Sequence, residues 1–190
     1  MAACNDPAIC ALCAQKGTTC CHIAPENAEL CFPLSKQEEN RLRAHSKEEL
    51  FLNKAPNSEA FLNVMRSLFP GEDAVIARLF PPSKSHPTLK ADKNGYCLYL
   101  GPKGCTLPRG SRPWFCKIFP FWVSDGEITG FSAEYCLAAR QTITVRGMLK
   151  KLGQNEAQIM DTYNRLRLDW GFVPRIPGIK PGQAHEGNGI

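Results

Sequence analysis

The apolar positions are most regular in two stretches of the chain. Between Glu59 and Phe69, the residues Phe61, Leu62, Met65, Leu68 and Phe69 fall on one stripe at helical spacing, and Pro70-Gly71 supplies a stop. Between Asn155 and Trp170, Ile159, Met160, Tyr163 and Leu166 form a second stripe, read as the core-facing side of a helix. Leu137 to Leu152 carries the same period and is read as one helix, set off from its successor by Gly153. Ser35 followed by Glu38 fits a capping box, which predicts a helix from about Lys36 to Leu52. Its apolar content is thin, so one face is expected in solvent. A short helix fits Glu72 to Phe80, closed by Pro81-Pro82.

Elsewhere the helical period fades. The first 33 residues, with Gly17, Pro25 and Pro33, read as cysteine-rich loop, and residues 81–95 read as loop too. From Tyr96 the pattern favours short strands: Tyr96 to Leu100, a turn over Gly101-Pro102-Lys103-Gly104, and a return from Cys105 to Leu107. Pro113 starts a single helical turn through Cys116, which Pro120 closes. A strand over Gly126 to Phe131 follows an Asp125-Gly126 turn. Beyond Pro174 the chain is rich in Pro and Gly with few core residues, which predicts a domain over 1–173 and a mobile tail over 174–190. The expected fold class is α+β: a mostly helical single domain around a small Cys/Gly/Pro-rich metal-binding core with short strands.

Composition changes the picture at one point. A chain of 190 residues with 43% hydrophobic content can bury a core without covalent staples, yet it carries 10 cysteines. The apolar runs, such as Trp114 to Phe121, are too short to span a bilayer. The opening MAACNDPAIC lacks a basic segment followed by an apolar one, so a cytoplasmic protein is expected. In that reducing setting clustered cysteines point to metal or redox chemistry rather than to disulfides. The formal charge of +5 counts every thiol as neutral. Eight thiolates around two divalent cations would cancel most of it, and Lys and Arg are scattered rather than striped, so neither nucleic acid nor membrane is expected as a partner.

The cysteines fall into two groups. In CALCAQKGTTCC, Cys10 and Cys13 stand three positions apart on an expected turn, where both sulfurs can face one ion at roughly 2.3 Å. Cys20 and Cys21 follow as neighbours; adjacent side chains diverge, so either one ligates while the other packs, or the pair serves two neighbouring centres. The second group, Cys97, Cys105, Cys116 and Cys136, is widely spaced in a stretch dense in Gly, Pro and aromatics, a texture suited to a rigid shell around thiolates. Arg109 and Arg112 either offset thiolate charge or cap turns. His22 can replace one sulfur, whereas His45, His86 and His185 read as a solvated helix residue, a loop residue and a tail residue. No Ser-His-Asp order, paired carboxylates or phosphate-cradling Gly loop stands out, and no single cysteine is set apart as a nucleophile.

The order Cys-x-x-Cys, Cys-Cys, G-x-C-x-x-L, G-C, R-P-x-x-C, F-P-F and a final Cys resembles the YkgJ-like cysteine-cluster family, described as a zinc- or iron-chelating domain and summarised as CxxxCxxCC. The resemblance covers about residues 10–137 and is most specific over GYCLYL and GCTLPRGSRPWFCKIFPFW. It implies metal chelation by Cys10, Cys13, Cys20, Cys21, Cys97, Cys105, Cys116 and Cys136, with a zinc or iron ion or an iron–sulfur cluster as cofactor. The gap before the Cys pair is longer than the family's, leaving open whether Cys10 and Cys13 or Cys4 and Cys10 fill the first two places. Cys4 and Cys31 have no clear family counterpart, and each is a ligand candidate only by its proximity. Flagellin lysine N-methylases resemble the same family, so an iron–sulfur enzyme modifying a protein side chain is one alternative; no binding loop for S-adenosylmethionine is recognisable. A zinc-stabilised protein-interaction module is the other.

Overall fold

In the computed structural model, which describes residues 8–16, 19–24, 27, 31–45, 52–131 and 133–175, the strongest apolar stripes form the helices at the centre of the molecule. Helix α3 (Glu59–Leu68) starts at Ser58, whose hydroxyl accepts the Phe61 N–H, and buries Phe61, Leu62 and Met65. Helix α8 (Glu156–Asp169) starts at Asn155 in a reciprocal box with Gln158 and buries Ile159, Met160, Tyr163 and Leu166. Helix α4 (Asp73–Leu79) adds Ile76. With Phe80, Ile118, Phe121 and Trp122 these side chains make the larger of two hydrophobic clusters. The smaller is built on Leu34, Leu42, Tyr99 and Leu107. The protein is a single, mostly helical α+β domain with three short antiparallel strand pairs among the described residues. No helix among them is long and apolar enough to cross a membrane.

The expected loop before Cys20 contains a helix, α1 (Ala8–Gln15). Ala8, Ala11 and Ala14 are strong helix formers, and the cysteine count had drawn attention from them. The Ser35–Glu38 box is present: Ser35 N–H donates to Glu38 Oε2 at 2.7 Å and Glu38 N–H to Ser35 Oγ at 3.2 Å. Its helix, α2 (Lys36–His45), does not extend to the expected end at Leu52, which belongs to strand β1 (Leu52–Pro56). That strand pairs with β2 (Ser85–Leu89), inside the expected loop. The period-2 signal of β2 was hidden because the side chains it buries are polar, His86 and Thr88.

Around the cysteines the strand expectation shrinks to β3 (Leu100–Gly101) and β4 (Gly104–Cys105), joined by the expected turn. Tyr96 and Cys97 make isolated bridges instead of a strand. Helix α5 (Trp114–Ile118) follows Pro113 as its cap. Strands β5 (Phe121–Ser124) and β6 (Glu127–Gly130) meet at Asp125-Gly126, where both residues take positive φ, 50° and 82°. The expected long helix Leu137–Leu152 is two, α6 (Leu137–Arg140) and α7 (Val145–Leu152). Thr144 interrupts it: its hydroxyl accepts the Gly147 N–H and caps α7, a local bond that competes with continued helix. The expected tail lies outside the described residues beyond Arg175, which is docked. Its N–H donates to Asn164 Oδ1 at 2.7 Å and its guanidinium to Glu72 at 3.2 Å, beside the Glu72–Arg167 ion pair.

His86, expected in a loop, is 2% exposed, bonded through Nδ1 to Asn57 Oδ1 at 2.8 Å and stacked on Phe61. Burial pushes its pKa down to about 4. Above pH 6.5 the imidazole is neutral folded or unfolded. Between 6.5 and 4 only the unfolded chain takes up a proton, so stability falls as pH falls. Thermal melts across this range should show a loss of up to ~3 kcal/mol that His86→Gln removes, after the common carboxylate contribution is subtracted.

Candidate metal centre

Four separate devices place the cysteines. Helix α1 carries Cys10 and Cys13 on one face, three residues apart. Cys13 is buried and its thiol donates to the Tyr135 carbonyl at 3.6 Å, next to Cys136, which caps α6. The segment after α1 joins the Tyr96 region as an antiparallel bridge. His22 pairs with Tyr96, Cys97 N–H donates to the Cys21 carbonyl at 2.7 Å, and Ile23 N–H to the Gly95 carbonyl at 3.0 Å. Cys21 and Cys97 are therefore backbone neighbours. Gly95 is needed there: its φ is +86°, and a Cβ would stand 2.0 Å from the Ile23 carbonyl oxygen. Asp92 shapes the same turn by accepting the N–H groups of Asn94 and Tyr96 at 2.8 and 2.9 Å.

Cys116 sits on α5, which is fixed at its start. Trp114 N–H donates to Glu38 Oε1 at 2.6 Å and its indole N–H to Asp169 Oδ2 at 2.6 Å, while Arg41 and Lys117 cover the ring from 4.5 and 4.0 Å. Glu38 is 2% exposed. Burial raises its pKa, against the lowering effect of the Ser35 and Trp114 N–H donors. Cys105 is placed by Arg112, itself buried, whose guanidinium donates to the Leu107 and Cys105 carbonyls at 3.0 and 3.1 Å. Arg112 is thus a turn cap, one of the two roles its sequence setting allows.

Cys10, Cys13, Cys20, Cys21, Cys97, Cys105, Cys116 and Cys136 all line one cavity of about 170 Å³. One of its walls belongs to the larger hydrophobic cluster, through Cys10 and Cys136, and another to the smaller, through Cys97 and Cys105. A second cavity of about 100 Å³ adjoins it, sharing Cys20, Cys21, Cys97 and Cys116 and adding Cys31. Cys20 and Cys116 are accessible to water although their surroundings are densely packed, because both face these cavities. No disulfide joins any of the nine cysteines among the described residues. Cys4 and His185 lie outside those residues, as does the side chain of His45. His22 lines both cavities, with its Nε2 3.0 Å from the Asn94 carbonyl.

The thiols act on one another. Cys20 has its pKa pushed well up, first by its hydrogen bond with the Cys21 thiol, then by burial and by Cys21, Cys116 and Cys10. Burial raises Cys116 strongly, and Cys21, Cys97, Cys105 and Cys31 add to it. Burial takes Cys97 to about 12, opposed by the Tyr99 N–H and reinforced by Cys21, Cys105 and Cys31. Cys31 rises to about 11 by burial, opposed by the Leu89 N–H. Without a cation, such a group holds its protons.

The donor set fits a thiophilic metal: sulfur suits zinc, copper(I) and iron–sulfur clusters, and N–H groups at Tyr99 and Leu89 support sulfur charge. On the same volume measure one water needs roughly 10–15 Å³, so the larger cavity has room for more than one ion. As they stand, no three His, Cys, Asp or Glu side chains among the described residues form a group set to hold a metal ion, so ligation requires thiols to turn toward a common centre. Cys31, a ligand candidate by proximity alone in the sequence, lines the smaller cavity, and Glu38, readable only as a capping-box residue, also holds α5 by a contact 76 positions away. No family model, curated protein or solved structure matches the chain.

Proposed function

We infer that the chain binds zinc or iron through cysteine thiolates, as an ion or as an iron–sulfur cluster. The observation that carries this reading is the gathering of eight cysteines, from segments as far apart as α1 and the start of α6, around one cavity. Chance packing of buried cysteines would scatter them through the core. The order of cysteines that resembles the YkgJ-like family supports the same reading, with a reducing cytoplasmic setting as its natural context. Metal would join the two hydrophobic clusters through a common centre and so contribute to folding as well as to any further activity.

Metal analysis and an absorption spectrum on anaerobically purified protein test the proposal. Zinc or iron is expected in near-stoichiometric amount or above; broad visible absorbance would assign an iron–sulfur cluster and turn attention to side-chain modification. Protein that stays metal-free after reconstitution with either metal would overturn the reading. Removal of the metal by a strong chelator, with metal content followed in the same sample, should lower the thermal midpoint by ten degrees or more, on the order of a few kcal/mol.

A further inference from the structure

Cys31, which the eight-cysteine pattern leaves out, stands beside four of those eight. It lines only the smaller cavity, together with Cys20, Cys21, Cys97 and Cys116. Cys10, Cys13, Cys105 and Cys136 line only the larger. The Cys31 segment is pinned in place. Phe32 stacks on Phe115 with centroids 4.2 Å apart and planes 3° from parallel, one residue from Cys116. Leu34 N–H donates to the Pro87 carbonyl at 2.8 Å, tying the segment to β2.

Resting on the metal-binding reading above, we propose that Cys31 joins Cys21, Cys97 and Cys116 in a four-thiolate metal site at the smaller cavity, separate from a second ion held among Cys10, Cys13, Cys20, Cys105 and Cys136 at the larger. Cys20 and Cys21 each line both cavities, so one of the pair can serve each centre. Four thiolates complete a closed tetrahedron for Zn²⁺ or Co²⁺, and five remain for the other ion.

Anaerobic titration of the reduced full chain with Co²⁺ reads this directly, through tetrahedral absorption and sulfur-to-metal charge transfer. About two equivalents are expected for the wild type and about one for Cys31→Ser, in keeping with four ligands per ion. Cys31→His should restore the second equivalent with weaker charge-transfer intensity, because imidazole replaces one sulfur. Two equivalents in Cys31→Ser, or one in the wild type, would overturn the two-site assignment while leaving metal binding intact. No uptake by the wild type would overturn both. Should the Cys31 variants fail to fold, alkylation of the wild type decides: Zn²⁺ should protect Cys31 from iodoacetamide in step with Cys97 and Cys116. Equal labelling of Cys31 with and without Zn²⁺ would sink the proposal.

Discussion

Cys116→Ser is expected to cost the protein about half of its bound metal or more, together with much of its soluble yield. Cys116 lines both cysteine cavities, so its loss removes a sulfur from the part of the cluster that the two share. Its helix is held by Glu38 and Asp169 before any metal arrives, so little ordering entropy opposes ligation there. Serine keeps the size but is a poor ligand for a soft site. If structural zinc binding is worth ~10–16 kcal/mol, losing one of four ligands removes roughly a quarter of it, about 3 kcal/mol. Cys4→Ser serves as the comparison, at a cysteine outside the eight-cysteine pattern read from the sequence, and should retain metal and yield. Equal metal content in the two purified variants, measured by elemental analysis, would refute this ranking.

Glu38→Ala should be the most damaging change away from the cysteines, lowering stability by about 3 kcal/mol. The carboxylate closes the first turn of α2 by accepting the Ser35 N–H, and with its other oxygen accepts the first N–H of α5. Alanine leaves both donors without their acceptor. Glutamine keeps one acceptor and turns an amide N–H₂ toward the other donor, so Glu38→Gln should cost about half as much. Denaturant midpoints of the three proteins check the order. Loss of the α5 anchor should also weaken metal retention in Glu38→Ala, because Cys116 is no longer held.

The same residue shows what could be read from sequence and what could not. A capping box is a local device, and Ser35–Glu38 is present as its spacing predicts. That Glu38 also reaches Trp114, 76 positions away, is a tertiary fact that no local pattern carries. Helices α3 and α8 were legible because their stripes face one core. Strand β2 was not, because His86 and Thr88 put polar groups where an apolar alternation is sought. The eight cysteines were legible as a set from their order, and they do surround one cavity. Which thiol neighbours which was hidden, since it depends on the Cys21–Cys97 backbone bridge and on the Phe32–Phe115 stack.

The contact between Cys13 and Tyr135 spans 122 positions, and it bears on how the chain is made. Synthesis releases the first cysteines long before their final neighbours exist. At ~5–20 residues per second the interval is on the order of ten seconds. For that time Cys10, Cys13, Cys20 and Cys21 face the surrounding medium without the walls that later enclose them. The cavity closes only once nearly the whole domain has left the ribosome, so on the metal-binding reading proposed above delivery follows translation rather than accompanies it. Until then, these sulfurs are open to oxidation.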